Sequence, residues 1–391
     1  MRTYTQSFDA SFDYPVVFTE GVFAPKNPAL VEAISRKGED RSHRFLAFID
    51  EGVDAAHPGL REDLAHYAEA HADRLEQVMP ARVVCGGEAI KNDYRLVMEI
   101  VDTILECRLC RHSCVIALGG GAVLDAVGFA VSIVHRGLRL VRLPTTVLAQ
   151  GDGGVGVKTG MNLHGGKNTI GTFAPPFAVI NDLALLRTLS DEHWRSGIAE
   201  AFKVAVIKDR EFLEYLCAHA KRLRDRDEEA MGHLVRRCAE LHLEHIRAGG
   251  DPFETGEARP LDFGHWSAHR LESMSGYRIA HGSAVAVGVA LDTWYAMRKG
   301  WVTEQEAEAV LCGLRDAGLP LGYDVMERRL GDGTLEILCG LDDFREHLGG
   351  RLTLAYPDGI GAVREEHEVD TALVEEGLLV LLDRHRASLG V

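Results

Sequence analysis

Positive charge is scarce in this chain. Its 391 residues carry 43 Lys and Arg against 59 Asp and Glu, a formal net charge of −16. A surface of that sign repels nucleic acid and anionic membranes, so neither is an expected partner. A small anionic substrate is not excluded, because a local cluster of Lys and Arg suffices for it. Long apolar runs are missing too: none reaches the roughly 18 residues that span a bilayer. Met1–Pro15 lacks the basic and apolar pattern of an export signal, so a cytoplasmic location is expected. The eight cysteines are then expected to stay reduced. Cys107, Cys110 and Cys114 form a CxxCxxxC cluster, which reads either as metal ligands or as thiols of a helix end and a buried strand. There is no internal repeat and no low-complexity segment, and the glycines that follow Leu118 do not have the GxGxxG spacing of the standard dinucleotide fingerprint.

What is present is an alternation of short apolar strands with helices. Strands are expected at Tyr14–Phe18, Phe45–Asp50, Arg82–Cys85, Cys114–Leu118, Leu138–Leu143 and Ala178–Asn181, with helices between them, one over about Asn92–Cys110. The pattern predicts a Rossmann-like parallel sheet covered on both faces. Ligands of such sheets sit at the carboxyl ends of the strands. From about Leu183 strand signals vanish and amphipathic helices take over. The predicted organisation is therefore an α/β domain over 1–183 and a mainly α-helical domain over 184–391. Pro357-Asp358-Gly359 marks a small hairpin near the end.

Several residues at the strand ends bear chemistry. Gly119-Gly120-Gly121 follows the central strand, either as a tight turn or as a turn that presents backbone N–H groups to phosphate. Asp50 is placed to bond a ribose or simply to cap a helix. The thirty residues after Leu143 hold Thr145, Thr146, Gln150, Asp152, Lys158, Asn162, Lys167 and Asn168, and read as a long loop forming an active-site wall. Glu200 and Lys203 share one helix face, as an ion pair or as site residues. Asp262, His265, His269 and His281 form a second cluster. One Glu with two His makes a three-ligand set that leaves zinc an open position.

These residues stand in an order that resembles the dehydroquinate synthase superfamily, the sugar phosphate cyclases. The matching motifs are Gly87-Glu88-x-x-Lys91, the glycine triplet with Asp125, Arg136-Gly137, Pro144-Thr145-Thr146, Asp152 with Lys158, Lys167-Asn168, Glu200-x-x-Lys203, Gly264-His265 and His281-Gly282. The resemblance implies tightly held NAD, a divalent metal (zinc, or cobalt) and a homodimer. It implies Glu200, His265 and His281 as metal ligands. For NAD it implies Asp50, Glu88, Lys91, Gly120, Gly121, Asp125, Thr145, Thr146, Leu148, Thr188 and Leu189, with Lys167 at the edge. Around a phosphorylated heptulose it implies Asp152, Lys158, Asn168, Lys203 and His269, with Arg136 reaching over from the neighbouring subunit. The implied reaction is transient oxidation by NAD, phosphate elimination, reduction, and intramolecular aldol closure, with no net redox change. A metal-dependent alcohol or glycerol dehydrogenase shares the fold type but has no need of Lys158, Asn168 and Arg136 for a phosphate.

The chain departs from dehydroquinate synthases where these hold a substrate carboxylate. Ala258 stands at the position of their Arg, Arg259 is displaced by one, Asp262 replaces an Asn, and Arg236–Gly250 contains no Lys. The segment around His347, and Arg259–His265, resemble the cyclases of sedoheptulose 7-phosphate. His269 separates the chain from the 2-epi-5-epi-valiolone synthases, which tend to have Pro there. The resemblance is best with 2-epi-valiolone synthases and the similar cyclases of bacterial ebo clusters. It makes Asp262 and His347 the expected determinants of substrate.

Overall fold

The computed structural model describes residues 2–164, 166–248, 253, 260–347 and 351–389. The chain divides into two compact units, Met1–Thr145 with Gly156–Ala184, and Thr146–Val155 with Leu185–Val391. The expected boundary near 183 lies beside one of these cuts. Thr146–Val155, which the linear reading placed in the first domain, is grouped with the second unit.

The first unit is built on a seven-stranded sheet. Its strands are β1 (Val16–Thr19), β2 (His43–Asp50), β3 (Leu75–Gln77), β4 (Arg82–Val84), β5 (Cys114–Gly119), β6 (Arg139–Pro144) and β9 (Ala178–Asp182). Their order is β1-β9-β6-β5-β2-β3, with β4 also on β2. Every pairing is parallel. Central strand β5 is buried at all six residues, as a strand covered on both faces must be. The helices are α1 (Ala29–Ser35), α2 (Glu51–Ala56), α3 (Leu60–Ala70), α4 (Ala89–Asn92), α5 (Tyr94–Glu106) and α6 (Gly121–Ile133). In α5, Val97, Ile100, Val101 and Ile104 make the buried stripe at i, i+3, i+4 and i+7.

One expectation is refined here and another corrected. The helix expected over about Asn92–Cys110 is α5, with narrower bounds: Asp93, whose extended backbone ends α4, caps it by accepting from Arg95 N–H, and it ends at Glu106. The long loop after Leu143 is largely ordered. It holds α7 (Val147–Gly151) and an antiparallel pair, β7 (Lys158–Leu163) with β8 (Gly166–Phe173). Thr159 and Met161 of β7 are buried, and the Thr159 methyl packs near Gly128 of α6. Glycine and asparagine in these strands hide the alternation that would otherwise mark them.

The second unit is helical: α7, α8 (Asp191–Lys208), α9 (Arg210–Arg224), α10 (Glu228–Ala248), α11 (His265–Met274), α12 (His281–Arg298), α13 (Glu304–Asp316), α14 (Cys339–His347) and α15 (Thr371–Leu389). The expected hairpin is β10 (Leu354–Pro357) against β11 (Val363–Glu366). Helices α8 and α12 are buried along most of their length and form the centre of this unit. Among the described residues, no helix is long and apolar enough to cross a membrane.

Candidate active site

Close helix approach builds the site in the second unit. A Cβ on Gly288 would lie 1.9 Å from the Gly264 carbonyl oxygen, so only glycine lets α12 lie against the residue that opens α11. Gly264 itself has φ +78°, which favours glycine, and it turns the chain so that His265 begins the helix. Its N–H donates to Asp292 Oδ2 at 3.0 Å, and Trp266 Nε1 donates to Asp292 Oδ1 at 3.0 Å. A buried carboxylate on α12 thus holds both neighbours of His265. At the start of α12, the Gly282 N–H donates to Ser196 Oγ on α8 at 3.1 Å. That contact brings His281 over Glu200.

Glu200, His265 and His281 offer one ligand atom each within 4.8 Å of one another. Glu200 Oε1 lies 3.6 Å from His265 Nε2 and 3.3 Å from His281 Nε2. His265 Nδ1 is 3.1 Å from the Phe263 carbonyl, which can only accept, so the ring's proton sits on Nδ1 and the Nε2 lone pair faces Glu200. Electron-rich atoms converging in this way need protons or a cation between them. Burial disfavours a charged His281, but the Glu200 and Glu272 carboxylates push its pKa up to about 9. The donor set and its geometry fit a divalent metal with an open position. The thiols of Cys107, Cys110 and Cys114 do not form such a group among the described residues, and all eight cysteines are free.

Beside this group Lys203 is only 3% exposed. Its ammonium lies 2.6 Å from Glu200 Oε2 and 3.6 Å from Asp152 Oδ2. Burial would lower its pKa, but Glu200, Asp152 and Asp262 together raise it above the ordinary lysine value. Burial likewise opposes ionisation of Glu200, yet Lys203, His265 and His281 hold it well below the carboxylate range. Lys203 is therefore a fixed cation at neutral pH rather than a proton acceptor. His269 is exposed, with its ring centroid 5.4 Å from that of His265 and 6.1 Å from that of His281. Asp262 is half-buried in a short turn just before α11. A cleft lined by Leu148, Asp152, Gly197, Glu200, Lys203 and His242 adjoins these groups. Thr146 caps α7 through the Ala149 N–H, and Thr188 and Leu189 lie at the end of a 3-10 turn; all belong to this unit.

Two polar groups here were not foreseen. His242 Nδ1 lies 3.1 Å from Asp152 Oδ1, and Glu272 Oε2 lies 3.4 Å from His281 Nδ1. His242 projects from the face of α10 that also carries Leu234 and Cys238. Glu272 was within reach of a sequence argument, since His265, His269 and Glu272 recur at i, i+4 and i+7. Ala258 and Arg259 lie outside the described residues. His347 ends α14, and its side chain lies outside them as well.

In the first unit the NAD candidates gather at the carboxyl ends of β2, β5 and β6. Asp50 stands beside the glycine turn, because Ile49 pairs with Leu118. Its Oδ1 accepts from Gly52 N–H, so it does cap α2. Gly120 is the N-cap of α6, and nothing lies within 4 Å of where a Cβ on Gly121 would point. This leaves the helix N-terminus open to a pyrophosphate. The Thr145 N–H donates to the Gly119 carbonyl. Lys91 is buried and bonds both Asp125 Oδ2, at 2.7 Å, and Asn168 Oδ1. Glu88 accepts from Asn162. Lys158 is exposed, Lys167 half-buried, and Arg136 exposed at a turn where His135, Arg136 and Gly137 all have positive φ.

The fold and the site together define a class: an α/β enzyme with a parallel sheet in one unit and a three-ligand group in a helical unit. Two family models, for the N-terminal and C-terminal parts of 3-dehydroquinate synthase, match residues 81–196 and 197–334. The 3-dehydroquinate synthase of Paracoccus denitrificans is 36% identical, covering 88% of this chain and 93% of its own. The 2-epi-valiolone synthase of Actinosynnema mirum is 33% identical, covering 90% of this chain and 95% of its own. A 2-epi-5-epi-valiolone synthase, ValA from Streptomyces hygroscopicus subsp. jinggangensis, was solved with NAD+ and Zn2+ bound. It is 31% identical, covers 97% of this chain and 100% of its own, and superposes with a TM-score of 0.85. The chain belongs to the 3-dehydroquinate synthase family of sugar phosphate cyclases.

Proposed function

We propose that this cyclase converts sedoheptulose 7-phosphate to a C7 cyclitol of the 2-epi-valiolone type, with release of phosphate. The observation that carries the reading is the charge around Lys203. Glu200, Asp152 and Asp262 all act on its ammonium. With the ligand histidines neutral, as metal binding would require, the carboxylates of Glu200, Asp152, Asp262 and Glu272 against the one ammonium leave three net negative charges. A divalent metal would cancel two of these and leave no positive surplus for a substrate carboxylate. Such a carboxylate at about 4 Å from Asp262 would cost roughly 4 kcal/mol at an effective dielectric near 20. A neutral hydroxymethyl group carries no such penalty and can donate a hydrogen bond to Asp262. His347 shares this assignment through the resemblance.

Glu200, His265 and His281 would hold the metal, zinc or cobalt. When bound, the metal supplies Lewis-acid polarisation of substrate oxygens, and NAD supplies a transient hydride acceptor. Lys203 fixes the Glu200 and Asp152 carboxylates and keeps its own proton. His269, exposed beside both ligand rings, is the group placed to exchange a proton with substrate. Lys158 and Asn168 are assigned to the phosphorylated substrate, with Arg136 supplied by a second copy in a homodimer. Asp50, Glu88, Lys91, Gly120, Gly121, Asp125, Thr145, Thr146, Leu148, Lys167, Thr188 and Leu189 are assigned to NAD. Lys91 and Asp125 contribute as a pair that steadies the start of α6.

The 36% identity to the Paracoccus protein favours a second reading, 3-dehydroquinate synthase acting on 3-deoxy-arabino-heptulosonate 7-phosphate. The cyclase class is tested by following phosphate and NADH together. Phosphate release with NADH returning to its starting level is the expected result. NADH accumulating in step with turnover would place the chain with the dehydrogenases.

A further inference from the structure

Glu272 is a buried carboxylate, 4% exposed, that no step of the reaction uses. It lies on α11, three residues beyond His269 and seven beyond His265. Its Oε2 is 3.4 Å from Nδ1 of His281, whose Nε2 is 3.3 Å from Glu200 Oε1. The two ligand histidines are thus held in the same sense but by different acceptors. His265 gives its Nδ1 proton to a backbone carbonyl, and His281 faces a carboxylate. We infer that Glu272 is a positioning residue for the metal: it holds the Nδ1 proton of His281 and so directs the Nε2 lone pair at Glu200 and the ion.

An imidazole offers a metal only the nitrogen that lacks a proton, so whatever fixes the other nitrogen fixes the tautomer. A carboxylate at Nδ1 also makes Nε2 a better donor than a carbonyl would, because its charge stabilises positive charge drawn onto the ring. Finally, a buried carboxylate is costly unless paired, and the His281 ring supplies that partner. The same side chain also belongs to a second group, His269, Glu272 and His281, whose ligand atoms lie within 4.8 Å of one another. One imidazole cannot serve two ions without losing both ring protons. Since Nε2 of His281 already faces Glu200, orientation is the role that the geometry supports over a second ion.

The inference rests on the metal reading above, and the experiment separates the two. Zinc is removed from the full-length protein, and its affinity and stoichiometry are measured by competition with a chromophoric chelator. The proteins compared are wild type, Glu272→Gln, His281→Ala and the double variant, each checked for native circular dichroism. The expected result is one zinc per wild-type chain and a loss of roughly 10- to 100-fold in affinity in Glu272→Gln. In the His281→Ala background, Glu272→Gln should change the residual affinity less than about twofold, because its effect passes through that ring. Should Glu272→Gln fail to hold the native fold, Glu272→Asp, which keeps the charge and shortens the reach, is expected to lose affinity by a smaller factor. Wild-type affinity in Glu272→Gln overturns the inference and leaves the metal site standing. So does an equal loss in both backgrounds, which marks a merely structural role. Two zinc ions in wild type and one in Glu272→Gln overturn it in favour of a second ion. A wild type that takes up no zinc removes the metal reading itself and the inference with it.

Discussion

Lys203→Met separates the structural from the chemical role of the buried cation. Methionine nearly matches the lysine stem, so the change removes charge with little loss of volume. Lys203 meets Glu200 at 2.6 Å and Asp152 at 3.6 Å. At an effective dielectric near 20 these contacts amount to about 6 and about 5 kcal/mol of gross attraction. Most of that offsets the cost of desolvating the charges, and breaking one partner of a buried pair costs roughly 3–5 kcal/mol net. The metal-free variant should therefore be destabilised by about that amount. Zinc should restore at least about half of it, because a cation on Glu200 replaces the missing charge. The assay is urea unfolding followed by tryptophan fluorescence, with chelator and with zinc. Trp194, Trp266, Trp294 and Trp301 all lie in the second unit, so the signal reports on that unit alone. A loss below about 1 kcal/mol in chelator, or one that zinc leaves unchanged, would refute the reasoning.

Two shorter predictions follow. His281→Ala should abolish both stoichiometric zinc and turnover; a variant that keeps one zinc per chain by elemental analysis would remove His281 from the ligand set. Burial pushes the Asp292 carboxyl up to about 7 against the pull of its bonds from Trp266 and Gly264. The unfolded chain releases this proton near pH 4 and the folded chain near pH 7, so the group's contribution is complete below about 4 and is lost as pH rises through about 7. Relative to Asp292→Asn, wild type should lose about 2 kcal/mol between about pH 5.5 and pH 8. Parallel stability curves for the two proteins would show that Asp292 titrates normally.

Strong periodicity and strand-end chemistry were the legible parts of this chain. Strands β2, β5 and β6 stand out because parallel strands buried on both faces read as unbroken apolar runs. The Glu200, His265 and His281 group was legible because Glu200 interrupts an apolar helix face, His265 is spaced i, i+4 from His269, and His281 opens a helix of small residues. The β7–β8 pair was not, because its glycines and asparagines carry turn signals inside strands. Lys91 was assigned to NAD through the resemblance alone, and only the folded chain shows its bonds to Asp125 and Asn168. His242 reaches Asp152 through tertiary packing across ninety residues, which no local pattern can signal. Glu272 lies between these cases: its i+7 spacing from His265 was there to read, but a lone Glu on a helix is usually solvated, and its burial against His281 is what gives it weight.

The central claim is that the charge around Lys203 selects a heptulose phosphate without a carboxylate. The direct measurement is kcat/KM for sedoheptulose 7-phosphate and for 3-deoxy-arabino-heptulosonate 7-phosphate, in wild type and in Asp262→Asn, with products identified by NMR. Wild type should prefer sedoheptulose 7-phosphate by two to three powers of ten, on the order of the ~4 kcal/mol repulsion at Asp262, and Asp262→Asn should narrow the gap. A wild type that prefers the carboxylated substrate contradicts the account and makes the chain a 3-dehydroquinate synthase.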